Sequence, residues 1–259
     1  FDHSANPFPG AFTDVMDMPF IDTNWTDILF GPTASTQHNL AVSGGTAKNL
    51  FRLSLGYMYD GSNLQWGNNS NSRYNIRLNN TFQLSDRVRL ESMIAYNRQD
   101  QVAPSKIGNT LTSSYPQPGL PAATIDGKPY SWGTWLSPNW FAELGGDNNL
   151  KVSEINISER FTINLFEDLD WISNLGYNTS NATRDVKHLA IQSFNYTGTK
   201  ENGNVAVSQQ SNTTYRKTSS RRDFYSLSSY LNYAKTYNSV HNFNAMAGTQ
   251  YELTQFDYF

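Results

Sequence analysis

The chain contains no cysteine. Disulfide scaffolds, thiolate metal sites and cysteine nucleophiles are therefore excluded. Charge is also scarce. Asp, Glu, Lys and Arg make up 16% of the 259 residues, where soluble domains carry about 25%. The net charge is −3 and the pI is near 5.8, which speaks against a basic surface for nucleic acid. Hydrophobic residues reach only 38%. No apolar run approaches the roughly 18 residues of a transmembrane helix. Proline is missing from 34–101 and from 150–259; all ten prolines lie in 1–33 and 102–149. A strand ladder excludes proline, because its nitrogen has no hydrogen to donate. Two sheet-forming blocks around a long irregular insertion are thus predicted. Phe1-Asp2-His3-Ser4 shows neither an initiating Met nor a signal peptide, which implies processing or a longer parent chain.

What fills the deficit is neutral and polar: 29 Asn, 27 Ser and 22 Thr. Aromatic residues reach 14%, with 15 Tyr and 15 Phe, too many for a disordered chain. The proline-free blocks alternate with period two. From Leu50 to Tyr59 one side carries Phe51, Leu53, Leu55, Tyr57 and Tyr59. The other carries Leu50, Arg52, Ser54, Gly56 and Met58. Tyr74, Ile76, Leu78, Phe82 and Leu84 likewise oppose Arg73, Asn75, Arg77, Asn79, Thr81 and Gln83. Alternation sustained this long argues strand and against helix. Eight strands are predicted, at 35–44, 49–60, 71–84, 87–100, 150–165, 170–185, 218–236 and 241–257.

These strands far exceed the usual length of about 5–6 residues. Their connections alternate strictly between short and long, with long loops at 61–70, 102–149 and 186–217. Tyr59, Tyr74, Tyr96, Tyr177 and Tyr225 lie toward the long-loop ends. Phe51, Phe82, Phe161, Trp171, Tyr233 and Phe243 lie toward the short turns. Long strands, alternating loops and two aromatic belts together describe a transmembrane β-barrel with one lipid face and one wet face. A soluble all-β protein with one solvated face also alternates. Two further readings therefore stay open, a passive porin-like barrel and a secreted β-rich carbohydrate-binding module.

Asp22-Thr23-Asn24-Trp25, then Gln37-His38-Asn39-Leu40-Ala41-Val42-Ser43-Gly44-Gly45-Thr46, resembles a block of SusC/RagA-type TonB-linked outer-membrane proteins. It is followed by Tyr57-Met58-Tyr59-Asp60-Gly61 and by Arg73-Tyr74-Asn75-Ile76-Arg77-Leu78-Asn79, in the family's order. The resemblance covers about 22–100. It implies an all-β fold, a portion of a large antiparallel barrel of about 22 strands, of which eight are visible here. It implies a parent protein near 1,000 residues whose plug domain lies outside this chain. Residues 1–33 would form an extracellular lead-in, and 34–259 the barrel wall and its outer loops. Implied partners are outer-membrane lipids, a SusD-like surface lipoprotein and TonB–ExbB–ExbD acting through the plug. The implied cargo is a glycan or peptide nutrient, imported with no cofactor and no enzymatic step.

Candidate binding residues follow. Trp66, Tyr130, Trp132, Trp135 and Trp140, with Tyr115, lie in the long loops. Such rings stack on sugars, dock partners, or give a long loop its own small core. Arg73, Arg77, Arg89 and Glu91 fall on the polar faces, where they would face the lumen, hold the plug or line the path. Asp14, Asp17 and Asp22 match no compact cation-binding loop, and the four His are scattered. No metal site and no catalytic residue is expected.

Overall fold

The structure is a computed structural model that describes residues 23–112, 119–124, 127–132, 135–194 and 213–259. Alternation with period two holds the backbone extended, and eight long strands pair into one antiparallel sheet. They are β1 (Ser35–Thr46), β2 (Asn49–Gly61), β3 (Ser70–Ser85), β4 (Val88–Pro104), β7 (Asp147–Phe166), β8 (Leu169–His188), β9 (Thr214–Tyr237) and β10 (His241–Tyr258). Their order in the sheet is their order in the chain. A hairpin of β5 (Ser131–Trp132) and β6 (Trp135–Leu136) lies in the connection from β4 to β7. Three short helices complete the described residues: α1 (Trp25–Leu29), α2 (Ile107–Thr112) and α3 (Pro138–Leu144). None of them is long and apolar enough to cross a membrane.

All eight expected strands are present, and most run further toward the long loops. β9 has 24 residues, about 80 Å at roughly 3.3 Å per residue. The β7 and β9 extensions are mostly polar, so hydrophobic period does not reveal them, and β4 runs through Val102 and Ala103 to Pro104 at its end. At the other end the turns are tight. Ala47-Lys48, Asp86-Arg87 and Glu167-Asp168 each join two strands directly. Gly45 has φ +154, and a Cβ there would strike the Asn49 carbonyl oxygen. Asn238 and Ser239 both take positive φ, 52° and 56°, in the β9–β10 turn. Two left-handed residues in succession give the turn a twist that suits a hairpin. Register shifts at Gln83/Ser85 and Asn164/Phe166 sit beside these turns.

Register carries the faces across the sheet. One ladder row runs Leu53, Leu78, Ile94, Ile157, Tyr177, Tyr225 and Leu253. The aromatic borders of this apolar face are oblique to the rows. Tyr57 and Tyr74 are partners on β2–β3, and Tyr177 and Tyr225 are partners on β8–β9. Traced along the rows, the second pair lies level with Leu53, four residues nearer the short turns than Tyr57. Phe51, Phe161, Trp171, Tyr233 and Phe243 step the same way at the lower border. Four residues are about 13 Å along a strand, and the four strand spacings between the pairs are about 19 Å. The band therefore slants by about 35°, the tilt of strands in a membrane barrel being roughly 35–45°.

Candidate functional site

Two surfaces offer sites: the polar face of the sheet and the crown built by the long connections. On the polar face the register places all four expected residues. Arg73 lies between Met58 and Gln99, and Arg77 between Ser54 and Ala95. Arg89 lies beside Gln83 and Thr162, and Glu91 beside Thr81 and Arg160. Arg89 Nη2 meets Glu91 Oε1 at 2.6 Å, and Arg160 Nε approaches the other carboxylate oxygen at 3.8 Å. Glu91 is thus spanned by two guanidinium groups. Among the described residues Arg52, Arg73 and Arg77 have no ion-pair partner. A depression of about 620 Å³ is lined by Arg52 and Arg77 with Asn39, Asn75, Asn79 and Asn97. Gly56 keeps its floor low, because a Cβ there would lie 3.1 Å from Asn39 Oδ1. This surface can hydrogen-bond a polar solute and can pair with carboxylates. Among the described residues no three His, Asp or Glu side chains gather as a metal site would require.

The crown has a core of its own. Trp25, Leu29, Leu64 and Ala142 form one buried cluster, packed by Ile28, Trp66, Ile107 and Ala122. Leu136, Phe141 and Ile191 form a second, packed by Trp140. Asn24 caps α1 by accepting from the Thr26 and Asp27 amides. Segments distant in sequence are tied by hydrogen bonds. Gln65 N–H donates to Leu29 O at 2.9 Å, and Gly67 N–H to Glu143 Oε2 at 2.8 Å. Ser131 Oγ bonds Ser193 Oγ at 2.8 Å, both buried. Lys106 is buried too, and its ammonium donates to Leu189 O at 2.8 Å. Burial pushes its pKa below the ordinary lysine value.

The aromatic candidates of the crown are mostly packed. Tyr130 is 1% exposed, so its ring is part of the core and presents nothing to a solute. Trp66 and Trp140 lie 5.5 Å apart with tilted rings. Their indole N–H groups donate to Ile28 O at 2.7 Å and Ala122 O at 2.6 Å. Both are half-buried. Trp132 and Trp135 are backbone partners in the β5–β6 hairpin. Tyr115, Asp14, Asp17 and Asp22 lie outside the described residues.

Two features escape the sequence pattern. On the apolar face, just past the tyrosine border, Asp223 accepts from Tyr177 at 3.1 Å and pairs with Arg221 at 2.7 Å. Within the apolar band, Asn80, Ser92 and Glu159 stand side by side on β3, β4 and β7. Each is a visible gap in its own strand's alternation. Only the register brings the three gaps together.

The sheet is thus an open section of a large antiparallel barrel wall, topped by an ordered crown. No protein-family model matches the chain, and no curated protein does. Solved structures match in shape. A chain of the RagAB peptide transporter aligns over 93% of this chain with a TM-score of 0.72 and 14% identity. The RagAB peptide importer in its "open-open" state aligns over 92%, at 0.66 and 14%. The Escherichia coli ferric-catecholate import receptor Fiu aligns over 86% of this chain and 34% of its own, at 0.49 and 11%. This chain spans 27% of the length of the RagAB chain it matches. The shared fold agrees with the SusC/RagA-type resemblance read from residues 22–100.

Proposed function

We propose that this chain is part of the wall and outer crown of a TonB-dependent barrel in the bacterial outer membrane. The parent protein imports a glycan or peptide nutrient through the lumen. The apolar face meets lipid, the polar face lines the conduit, and the long loops stand outside the cell. The wall performs no chemistry on the cargo; it holds a polar path open with every backbone group paired. A SusD-like surface lipoprotein closes the crown from above, and TonB–ExbB–ExbD drives a plug that this chain does not include. One observation carries the reading. Both borders of the aromatic band slant together across the ladder, as two membrane interfaces must slant across tilted strands.

Uptake in cells tests it. A strain lacking the gene, complemented with the full-length protein, is offered a labelled peptide digest and a labelled oligosaccharide mixture. Complementation restores uptake of one of them, and a protonophore abolishes it. Uptake that is linear in concentration and indifferent to the protonophore overturns the active reading in favour of a passive pore. A protein that is soluble without detergent overturns the membrane reading altogether.

A further inference from the structure

We infer that the outer mouth of the conduit carries a carboxylate-binding site, built on Arg184 and Arg216, that selects acidic cargo. The inference rests on the import reading above. The outer ends of β8 and β9 pair Arg184 with Thr218, Val186 with Arg216 and His188 with Thr214. Arg184 is seven residues beyond Tyr177, and Arg216 nine beyond Tyr225. Both separations are odd, so these residues lie on the polar face, opposite the tyrosines. The separations correspond to about 23 and 30 Å along the strands at roughly 3.3 Å per residue. The patch therefore stands above the tyrosine border, on the water side. It forms a depression of about 630 Å³, lined by Arg184, Val186, His188, Arg216 and Thr218, with Tyr258 contributed by β10. No Asp or Glu lines it.

Arg184 and Arg216 are diagonal neighbours in the ladder, about 7–8 Å apart at the backbone. Among the described residues neither has an ion-pair partner. On the opposite face of the same strand the arrangement differs, because Arg221 carries its own carboxylate, Asp223 at 2.7 Å. Two unanswered like charges this close repel each other, and an anion between them reverses the sign of the interaction. Guanidinium groups bind carboxylates through paired N–H donors in a fixed fork, which a lysine cannot match. Two forks a diagonal apart suit one carboxylate bridged between them, or two carboxylates on one solute. His188 Nδ1 is buried with no hydrogen-bond partner. Burial, and then the Lys106 ammonium, push the His188 pKa below the ordinary value. Its ring therefore supplies a hydrogen bond rather than a third positive charge. The depression has the size of a small-molecule site, which usually spans roughly 300–1,000 Å³. Within the proposed cargo, carboxylates come from two sources, acidic peptides and uronate glycans, and the site takes the chemistry they share.

Equilibrium binding to the purified full-length protein tests the site. Four labelled probes are used: a glutamate-containing pentapeptide, its glutamine counterpart, a trigalacturonate and its methyl ester. Wild type is expected to bind one acidic probe at least tenfold more tightly than its neutral counterpart, and which probe it is identifies the source. Arg184→Gln combined with Arg216→Gln should abolish that preference. Arg184→Lys combined with Arg216→Lys should keep part of it. Arg222→Gln, on the same face of β9 but nearer the tyrosine border, should leave it unchanged, which separates a local site from the general field of the wall. The inference is overturned if neither acidic probe is preferred, if the doubly neutral variant keeps the preference, or if Arg222→Gln abolishes it equally. Uptake of the same probes by cells tests the underlying reading separately. Preferential binding without uptake leaves the site standing and sinks the import reading, and uptake without preference does the reverse.

Discussion

The wall and the crown are stabilised by different means. Wall strands run for 12 to 24 residues, yet their apolar side chains stay open to the surroundings: Leu40 is 60% exposed and Ile76 46%. The largest fully buried side chains instead belong to the crown and its base, among them Tyr130, Phe141, Leu136 and Pro138. The wall is held by backbone ladders and by whatever covers its apolar face. The crown is a small water-facing fold with its own core, mounted on the strand ends. On the proposed membrane reading one chain answers to two solvents, and the tyrosine border is where they change over.

The largest effect should come from the crown. Phe141 is 2% exposed in its second cluster. Phe141→Ala should cost about 3–5 kcal/mol, the usual range for a buried phenylalanine. If the two regions are independent, the loss stays local. Hydrogen exchange should rise across 136–145 and 189–194, while the strands keep their protection. Loss of the whole ladder would mean that the crown clamps the wall.

The wall should break by a different substitution. Leu53→Arg or Leu78→Arg puts a cation in the apolar band and should cost about 2–4 kcal/mol at mid-bilayer. Asn79→Arg, one residue away on the polar face, should be nearly neutral. Folding into lipid vesicles, read by heat-modifiable gel mobility, separates them. Equal behaviour of Leu78→Arg and Asn79→Arg would show that the faces are assigned wrongly.

These two substitutions also mark how far the sequence could be read. Strand number, the tight turns and the faces of Leu53 and Leu78 were legible, because period two survives wherever one side is apolar. The outermost residues of β8 and β9, 186–188 and 214–217, were not, since Lys187, His188, Thr214, Arg216 and Lys217 leave no apolar side to follow. The crown was illegible for a related reason. α1, α2 and α3 have only 5, 6 and 7 residues, too short for a helical period. Of the three roles open to Tyr130, sugar stacking, partner docking or the loop's own core, it takes the last, because segments 62 residues apart close over it; Ser131 meets Ser193 there. Glu159 needed register across a connection of 42 residues, from 105 to 146, before its neighbours were known.

Lys106→Met is a finer probe of the crown. It leaves the Leu189 carbonyl without its charged donor, and hydrogen bonds to charged groups are worth about 1.5–3 kcal/mol. Exchange at 189–191 should rise, with the ladder unchanged. The pH dependence has a definite sign. Burial lowers the folded pKa below the ordinary 10.5. The unfolded chain therefore holds the proton more tightly, and the crown gains stability as pH rises between the lowered value and 10.5. Lys106→Met should remove that gain; a gain that persists would assign it to another group.

The smallest stability effect belongs to the polar face, and it sharpens the contrast between the wall's two sides. Glu91 is paired to Arg89 and Arg160, but all three side chains are a third or more exposed. Pairs this open contribute about 0–1 kcal/mol, so Glu91→Gln should leave folding and insertion within that margin. Its effect lies elsewhere. The substitution removes the negative charge between two guanidinium groups on a face that already holds Arg52, Arg73 and Arg77 without ion-pair partners among the described residues. Permeation by anions, measured as reversal potential in planar bilayers with the conduit open, should shift toward anion selectivity. The same exchange of charge for neutrality at Glu159, on the opposite side of the ladder, should leave selectivity unchanged. If Glu91→Gln and Glu159→Gln shift the reversal potential alike, Glu91 does not face the conduit.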